Sequence, residues 1–335
     1  MKQAAIVILN YNGKEMLEKF LPIVIQNSRF EVVIVDNAST DSSALFLEQH
    51  FPGIRTIFLQ NNHGFSKGYN QALSQLKGEF EYYLLLNSDV EVTPGWDLGL
   101  IQWLAKNRDY AAVQPKILSQ ANKRAFDYAG AGGGFIDQLG FPYCRGRILN
   151  VIEEDRGQYD DDQDVDWVSG ACFAVRADLY HQLGGFENLF FAHMEEIDLC
   201  WRMTKKGYKL GYTGNVSVYH VGGGTLSRTS PFKTYLNYRN NLLMLYRNLT
   251  FVGFFKVMLV RGFLDMAALI FFVVTGKGIH AQKILKAYSD FFNMKDQIDK
   301  SNPLAPKLPS NSAGKKVYSI IGTYYLKRKT KYSTI

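Results

Sequence analysis

A repeated unit in the N-terminal third constrains this chain most. A short apolar run ends in a polar cluster, and an amphipathic stretch follows. Residues 4–9 form the first run, closed by Asn10, Tyr11, Asn12 and Gly13, and residues 14–26 carry a helical pattern. Residues 31–35 form the second, ending in Asp36, with Ser39 or Asp41 placed to cap a helix over 42–50. Residues 56–60 turn through Asn61, Asn62, His63 and Gly64 into a helix over 66–76, and residues 82–86 land on Asn87, Ser88 and Asp89. This alternation predicts an α/β fold, a parallel sheet covered by helices on both faces. Ligands of such sheets bind beyond the carboxyl ends of the strands. All four polar clusters fall there, so that edge is the expected site.

After Pro115 the alternation breaks. Residues 129–140 are glycine-rich and read as a loop over the site or the start of an irregular sheet. The acidic run 160–164 reads as a solvated loop. Residues 167–175 read as a strand whose Ser169, Gly170 and Ala171 let a bulky ligand approach the backbone. Residues 190–202 then place Glu195, Glu196 and Asp198 on the first turn of a helix. Helical spacing puts Glu195, Asp198 and Arg202 on one face, where Arg202 pairs with one of the carboxylates, and turns Glu196 elsewhere. Crowded carboxylates repel one another, which a fold tolerates only with cations, solvent or a function nearby.

An apolar content of 47% with 21% charged residues excludes a disordered chain. Cys144, Cys172 and Cys200 are odd in number and widely spaced, which argues against a disulfide frame or a zinc site. The apolar run after Lys2 is too short for a leader and reads as the first strand. The net charge of +7 is uneven: from residue 251 onward there are 14 Lys and Arg against 4 Asp and Glu. The mildly acidic remainder argues against nucleic acid, and the basic, aromatic C-terminal region suggests an anionic membrane surface. Residues 251–275 are apolar but interrupted by Lys256, Arg261 and Asp265. That pattern predicts a helix lying in the interface rather than spanning it. Residues 303–314 read as a linker before a basic tail. No GxGxxG follows the first strand and no GxxxxGK[ST] occurs, so dehydrogenase and P-loop readings lack support.

Asn10-Tyr11-Asn12, Val35-Asp36-Asn37-Ala38-Ser39-Thr40-Asp41, Asn61-Asn62-His63-Gly64-Phe65-Ser66-Lys67-Gly68-Tyr69-Asn70 and Leu86-Asn87-Ser88-Asp89 occur in order. Ser169-Gly170-Ala171, Gly184-Gly185-Phe186 and Glu195-Glu196-Ile197-Asp198-Leu199-Cys200 follow. Together they resemble glycosyltransferase family 2, and in particular its bacterial rhamnosyltransferase-like branch, over about residues 4–248. The resemblance implies a Rossmann-like A-type glycosyltransferase fold with a mixed central sheet. Residues 1–115 would bind the nucleotide sugar and 116–248 the acceptor, with membrane-associating helices over 249–300 and a linker and basic tail over 301–335.

It also implies inverting transfer from a nucleoside-diphosphate sugar, dTDP- or UDP-linked, to a glycan or lipid-linked acceptor at the cytoplasmic face of the inner membrane. Asp36 would contact the nucleobase. Asn10, Tyr11, Asn12, Asn61, Gly64, Phe65, Asn70 and Asn87 would wall the nucleotide. Asp89 and His220 would hold Mg2+ or Mn2+, Glu196 would be the general base, and Gly170, Ala171, Glu195 and Asp198 would face the acceptor. Two residues depart from the family pattern. Asn87 stands where a metal-motif acid is usual, and Glu196 is one methylene longer than the frequent Asp. A non-catalytic nucleotide-sugar binder and a nucleotidyltransferase are the competing expectations.

Overall fold

The computed structural model describes residues 1–222, 229–299 and 317–335; the expected linker lies outside them. The N-terminal half follows the predicted alternation closely. β1 (Lys2–Asn10), α1 (Lys14–Asn27), β2 (Glu31–Asp36), α2 (Ser43–His50), β3 (Arg55–Phe58), α3 (Gly64–Gln75) and β4 (Phe80–Asn87) succeed one another. β5 (Val90–Val92), α4 (Trp96–Lys106) and β6 (Tyr110–Ser119) come next. β7 (Gly134–Ile136), β8 (Pro142–Cys144), β9 (Arg147–Ile148) and β10 (Val151–Ile152) form a small antiparallel sheet, which is where the glycine-rich segment leads. β11 (Asp162–Asp164), β12 (Cys172–Arg176), α5 (Ala177–Gln182), α6 (Glu195–Lys205) and β13 (Lys209–His220) return to the main sheet.

That sheet runs β11-β13-β6-β12-β4-β1-β2-β3, with β5 paired to β13. β4, β1, β2 and β3 are parallel, whereas β12 inserts antiparallel between β4 and β6. The sheet is therefore mixed. Side chains alternate along each strand. Val7, Val33 and Leu85 pack on one face with Tyr69 and Leu73 of α3 and Trp201 of α6. Ile6, Ile34 and Leu86 pack on the other with Leu17, Leu21 and Val24 of α1 and Leu100 and Leu104 of α4.

Three expectations change. The strand expected over 167–175 begins only at Cys172, because the backbone of 169–171 turns toward a cavity instead. The acidic run is solvent-exposed as expected, but it is tied down rather than a free loop. Lys116 binds Asp155 and Asp160, Arg145 binds Asp161 at 2.9 Å, and Asp162 and Asp164 lie in β11. The tail is not a loose basic arm. Val317, Ile320 and Tyr332 are buried, Ile320 N donates to Asp137 Oδ2 at 2.7 Å, and the Tyr332 ring stacks on Phe135.

Three helices, α7 (Pro231–Asn248), α8 (Phe251–Val274) and α9 (Gly278–Met294), flank the body, followed by the short α10 (Ile320–Tyr325). α8 is one continuous helix despite its charges, because Arg261 and Asp265 point inward and are buried.

Candidate active site

A cavity of about 440 Å³ opens at the carboxyl edge of the parallel strands. Tyr11, Gly64, Phe65, Asn87, Asp89, Gly170, Ala171, Glu195, Glu196 and His220 line it, all of them expected site residues. Gly64 sits at φ +71°, and a Cβ there would lie 2.5 Å from the Phe191 ring and carbonyl, so only glycine fits.

The acidic end is built by the start of α6. Phe191, His193 and Met194 all have positive φ, at 63°, 71° and 73°. Three such residues store backbone strain, which surrounding structure must hold. α7 does so: Asn240 Nδ2 reaches the carbonyls of Phe190, Ala192 and His193 within 2.9 Å, and Arg239 Nη2 donates to Leu189 O and Phe190 O. The clamp presents both Glu195 and Glu196 to the cavity from the helix N-terminus. Burial raises the Glu196 carboxyl to about 7, although the backbone amides of Glu196, Gly170 and Ile197 pull it back. Burial raises Glu195 well above the ordinary carboxylate range, and the neighbouring Glu196 charge adds to this. Burial opposes ionisation of both carboxyls, and a charge on one opposes a charge on the other.

The opposite wall is electrostatically distinct. β5 pairs antiparallel with β13, which sets His220 opposite Val90 and beside Asp89. His220 Nε2 lies 3.2 Å from Asp89 Oδ1, and its Nδ1 lies 3.1 Å from Asp127 Oδ2. Burial alone would lower the His220 pKa, but hydrogen bonds and charge from Asp127 and Asp89 raise it to about 10. Burial would likewise raise Asp89, yet its hydrogen bond and ion pair with His220 hold it below the ordinary range. Among the described residues no group of three or more His, Cys, Asp or Glu forms a ready-made metal cage. Asp89 provides an oxygen at the cavity wall, and His220 provides a nitrogen once a cation displaces the Nε2 proton that it directs at Asp89. That donor set fits a Mg2+ or Mn2+ ion whose remaining ligands come from a diphosphate.

Six expected site residues do not line the cavity. Asn10 is buried, and its Nδ2 lies 3.2 Å from both Asp36 Oδ2 and Ser39 Oγ. Asp36 also accepts the Ser39 amide at 2.9 Å, so it organises the loop rather than facing the opening. Asn12 Oδ1 accepts the Thr40 amide, and Asn61 is exposed beside Asn62, the residue that reaches the cavity. Asn70 staples α3 to the Gly185–Phe186 turn: it donates to Phe186 O and accepts from Phe186 N and the Tyr180 hydroxyl. We expect Asn70→Ala to cost roughly 2–3 kcal/mol, because it strands buried partners. Urea denaturation should show this loss with nucleotide affinity nearly unchanged. Asp198 lies on the far side of α6, bound to Arg202, Arg247 and Asn248.

Sequence reasoning missed Asn37, Asp127, His193 and the α7 clamp. Asn37 Oδ1 accepts the His63 amide while its side chain borders the cavity. Burial lowers the His193 pKa to about 4, so a neutral imidazole faces the cavity. The polar run Arg239-Asn240-Asn241 leading into the apolar 242–245 stretch of α7 was the available signal for the clamp.

Residues 5–184 match the family model for Glycosyl transferase family 2. The chain belongs to that family. As a family 2 member it is a glycosyltransferase, and its relatives are hexosyl- and rhamnosyltransferases. It is 26% identical over 243 residues to the Haloferax volcanii low-salt glycan biosynthesis hexosyltransferase Agl10, covering 71% of this chain and 74% of that one. It is 26% identical over 232 residues to the Mycobacterium tuberculosis N-acetylglucosaminyl-diphospho-decaprenol L-rhamnosyltransferase, covering 64% and 75%. Among solved structures, GalNAc-T7 with UDP, GalNAc and Mn2+ superposes with a TM-score of 0.58 at 14% identity, covering 92% of this chain and 59% of that chain. The chain thus spans about three-fifths of that protein's length. The mannosyltransferase PcManGT from Pyrobaculum calidifontis with GDP-Man and Mn2+ gives 0.51 at 14% identity, covering 87% and 75%. At such identities the likeness concerns the fold, which is the A-type glycosyltransferase fold. The family match ends before α6, so the acidic turn and His220 stand on geometry.

Proposed function

We propose that this glycosyltransferase moves one hexosyl unit from a dTDP- or UDP-sugar to a glycan or lipid-linked acceptor, with inversion at the anomeric carbon. One observation carries the reading. Four buried polar atoms without a partner in the protein, Glu195 Oε2, Glu196 Oε2, His193 Nε2 and Asp127 Oδ1, belong to residues lining one cavity. Buried polar atoms are normally paired, so their convergence points to a polar ligand.

Glu196 takes the acceptor hydroxyl proton as that oxygen bonds to the sugar C1 and the C1–O bond to the diphosphate breaks. Protonated Glu195 and neutral His193 orient the acceptor's remaining hydroxyls. Tyr11, Asn37 and Asn62 border the nucleotide side. Asp89 and His220 would hold Mg2+ or Mn2+, which when bound neutralises charge on the departing diphosphate. Asp127 holds His220 from behind and directs its Nε2 toward the cation, as outer carboxylates do for metal-bound histidines.

Two measurements test this. Asp127→Asn should weaken Mn2+ binding about 10–100-fold in the presence of nucleoside diphosphate, read by electron paramagnetic resonance. Nucleotide affinity without metal should stay the same. Unchanged Mn2+ affinity would remove Asp127 from this role. Proton NMR of the product reads the anomeric configuration directly: inversion is expected, and retention would contradict a single-displacement mechanism.

A further inference from the structure

We propose that α8 and α9 form an in-plane dock for an anionic lipid bilayer, holding the mouth of the cavity at headgroup level. The acceptor half of this inference, a lipid-carried glycan entering from the membrane, rests on the glycosyl-transfer reading above. α8 is 24 residues long, about 36 Å, with a mean hydropathy of 2.2 in its most apolar window. By length and composition it could cross a membrane. Its packing argues otherwise.

Phe255, Leu259, Phe263, Met266, Ile270 and Val273 recur every three or four residues and form one outward stripe, each more than half exposed. The opposite stripe is tied to the protein along its middle. Arg261 pairs with Asp265, stacks 3.9 Å over the Phe141 ring and donates to Leu139 O. Asp265 accepts from the Tyr288 hydroxyl of α9 at 2.6 Å. A spanning helix would have to pull this ion pair off the body and into hydrocarbon. An in-plane helix keeps it and buries only the outward stripe.

Charge selects the occupant. The carboxylates of the two helices are both engaged, Asp265 as above and Asp290 by Tyr235 and Lys286. Lys256, Lys277 and Lys283 flank the apolar stripe, so the outward face suits anionic headgroups and would repel a second copy of itself.

The hairpin tip adjoins the site. Phe232 and Lys233, on the first turn of α7, line the cavity. The next residue, Thr234, binds His280 of α9 at 2.8 Å, and His280 stacks on Phe272 of α8. Phe271, Val274 and Ile279, next in sequence to Phe272 and His280 or nearly so, are exposed. A bilayer on this face therefore meets the cavity mouth, where a sugar on a membrane-held carrier can enter while its hydrocarbon stays in lipid.

The test is flotation of the full chain with vesicles of phosphatidylcholine alone or with about one third phosphatidylglycerol. Binding to the anionic vesicles, weakened by salt and reversed by alkaline carbonate, is the expected result. Leu259→Asp with Phe263→Asp should lower the bound fraction at least about tenfold, and Lys256→Glu with Lys277→Glu should remove the anionic preference. Circular dichroism and nucleoside-diphosphate binding, measured on the same variants in solution, should match the parent. Retained nucleotide binding separates failure of the dock from failure of the transferase reading. Carbonate-resistant association would overturn the in-plane arrangement in favour of a span. No vesicle binding, with a lipid-free dimer that the double Asp variant dissociates, would make the stripe a chain–chain interface.

Discussion

Glu196→Gln should lower the transfer rate by about 10²–10⁴-fold while donor affinity stays within about twofold, because the amide keeps the shape and loses the base. The pH dependence gives this prediction its sharper form. Glu196 acts in its ionised form, and burial raises its pKa to about 7. The rate should therefore rise with pH through about 7 and fall roughly thirtyfold by one and a half units below it. In the proposed assignment Glu195 is the protonated partner; burial and the Glu196 charge both raise its pKa. Glu195→Gln imitates that neutral acid, so the acidic limb should persist in this variant. A limb that vanished in Glu195→Gln and survived in Glu196→Gln would exchange the two roles.

The largest expected stability effect belongs to Asp198→Ala. Its Oδ2 lies 2.8 Å from Arg202 Nε and 3.2 Å from Arg247 Nη1, and its Oδ1 accepts from Asn248 at 2.7 Å. Arg202 is itself buried and donates its other groups to Leu183 O and Gly185 O. Removing the carboxylate strands that guanidinium without a counter-charge, at a cost of about 3–5 kcal/mol. A fall in the urea midpoint with an unchanged slope would register it. Burial would raise the Asp198 carboxyl, but the charges of Arg202 and Arg247 hold it below its ordinary value. A depressed carboxylate pKa contributes stability above the unfolded pKa, and that contribution is lost as pH falls through the folded value. The gap between parent and Asp198→Asn should therefore narrow below about pH 4.

The contrast between Glu196 and Asp198 shows where the sequence was legible. Strands β1 to β4 were plain because each is a short, largely apolar run leading into polar residues, and those ends do meet at one edge. The acidic turn was also plain as a cluster. Its orientation was not, since helical phase groups Glu195 with Asp198. The cavity lies off the end of α6, so Glu195 and Glu196, its first two residues, both reach it, while Asp198 turns to the far side. Asn70 sits inside a recognisable motif, yet its partners Tyr180 and Phe186 are more than a hundred residues away. Asp127 is similarly remote from His220, and no local pattern marks it. The tail misled for the same reason. Its basic composition is local, whereas the contacts of Ile320 with Asp137 and of Tyr332 with Phe135 depend on the whole fold.

The cavity between the acidic turn and the Asp89–His220 wall should bind a nucleoside diphosphate together with a divalent cation. Calorimetric titration of UDP, dTDP, GDP and CMP, each with and without Mn2+, tests it most directly. One diphosphate should bind, Mn2+ should tighten it, and Asp89→Ala should abolish the increment from metal but not the nucleotide's own affinity. Binding of none of them, or a metal increment that survives Asp89→Ala, would contradict it.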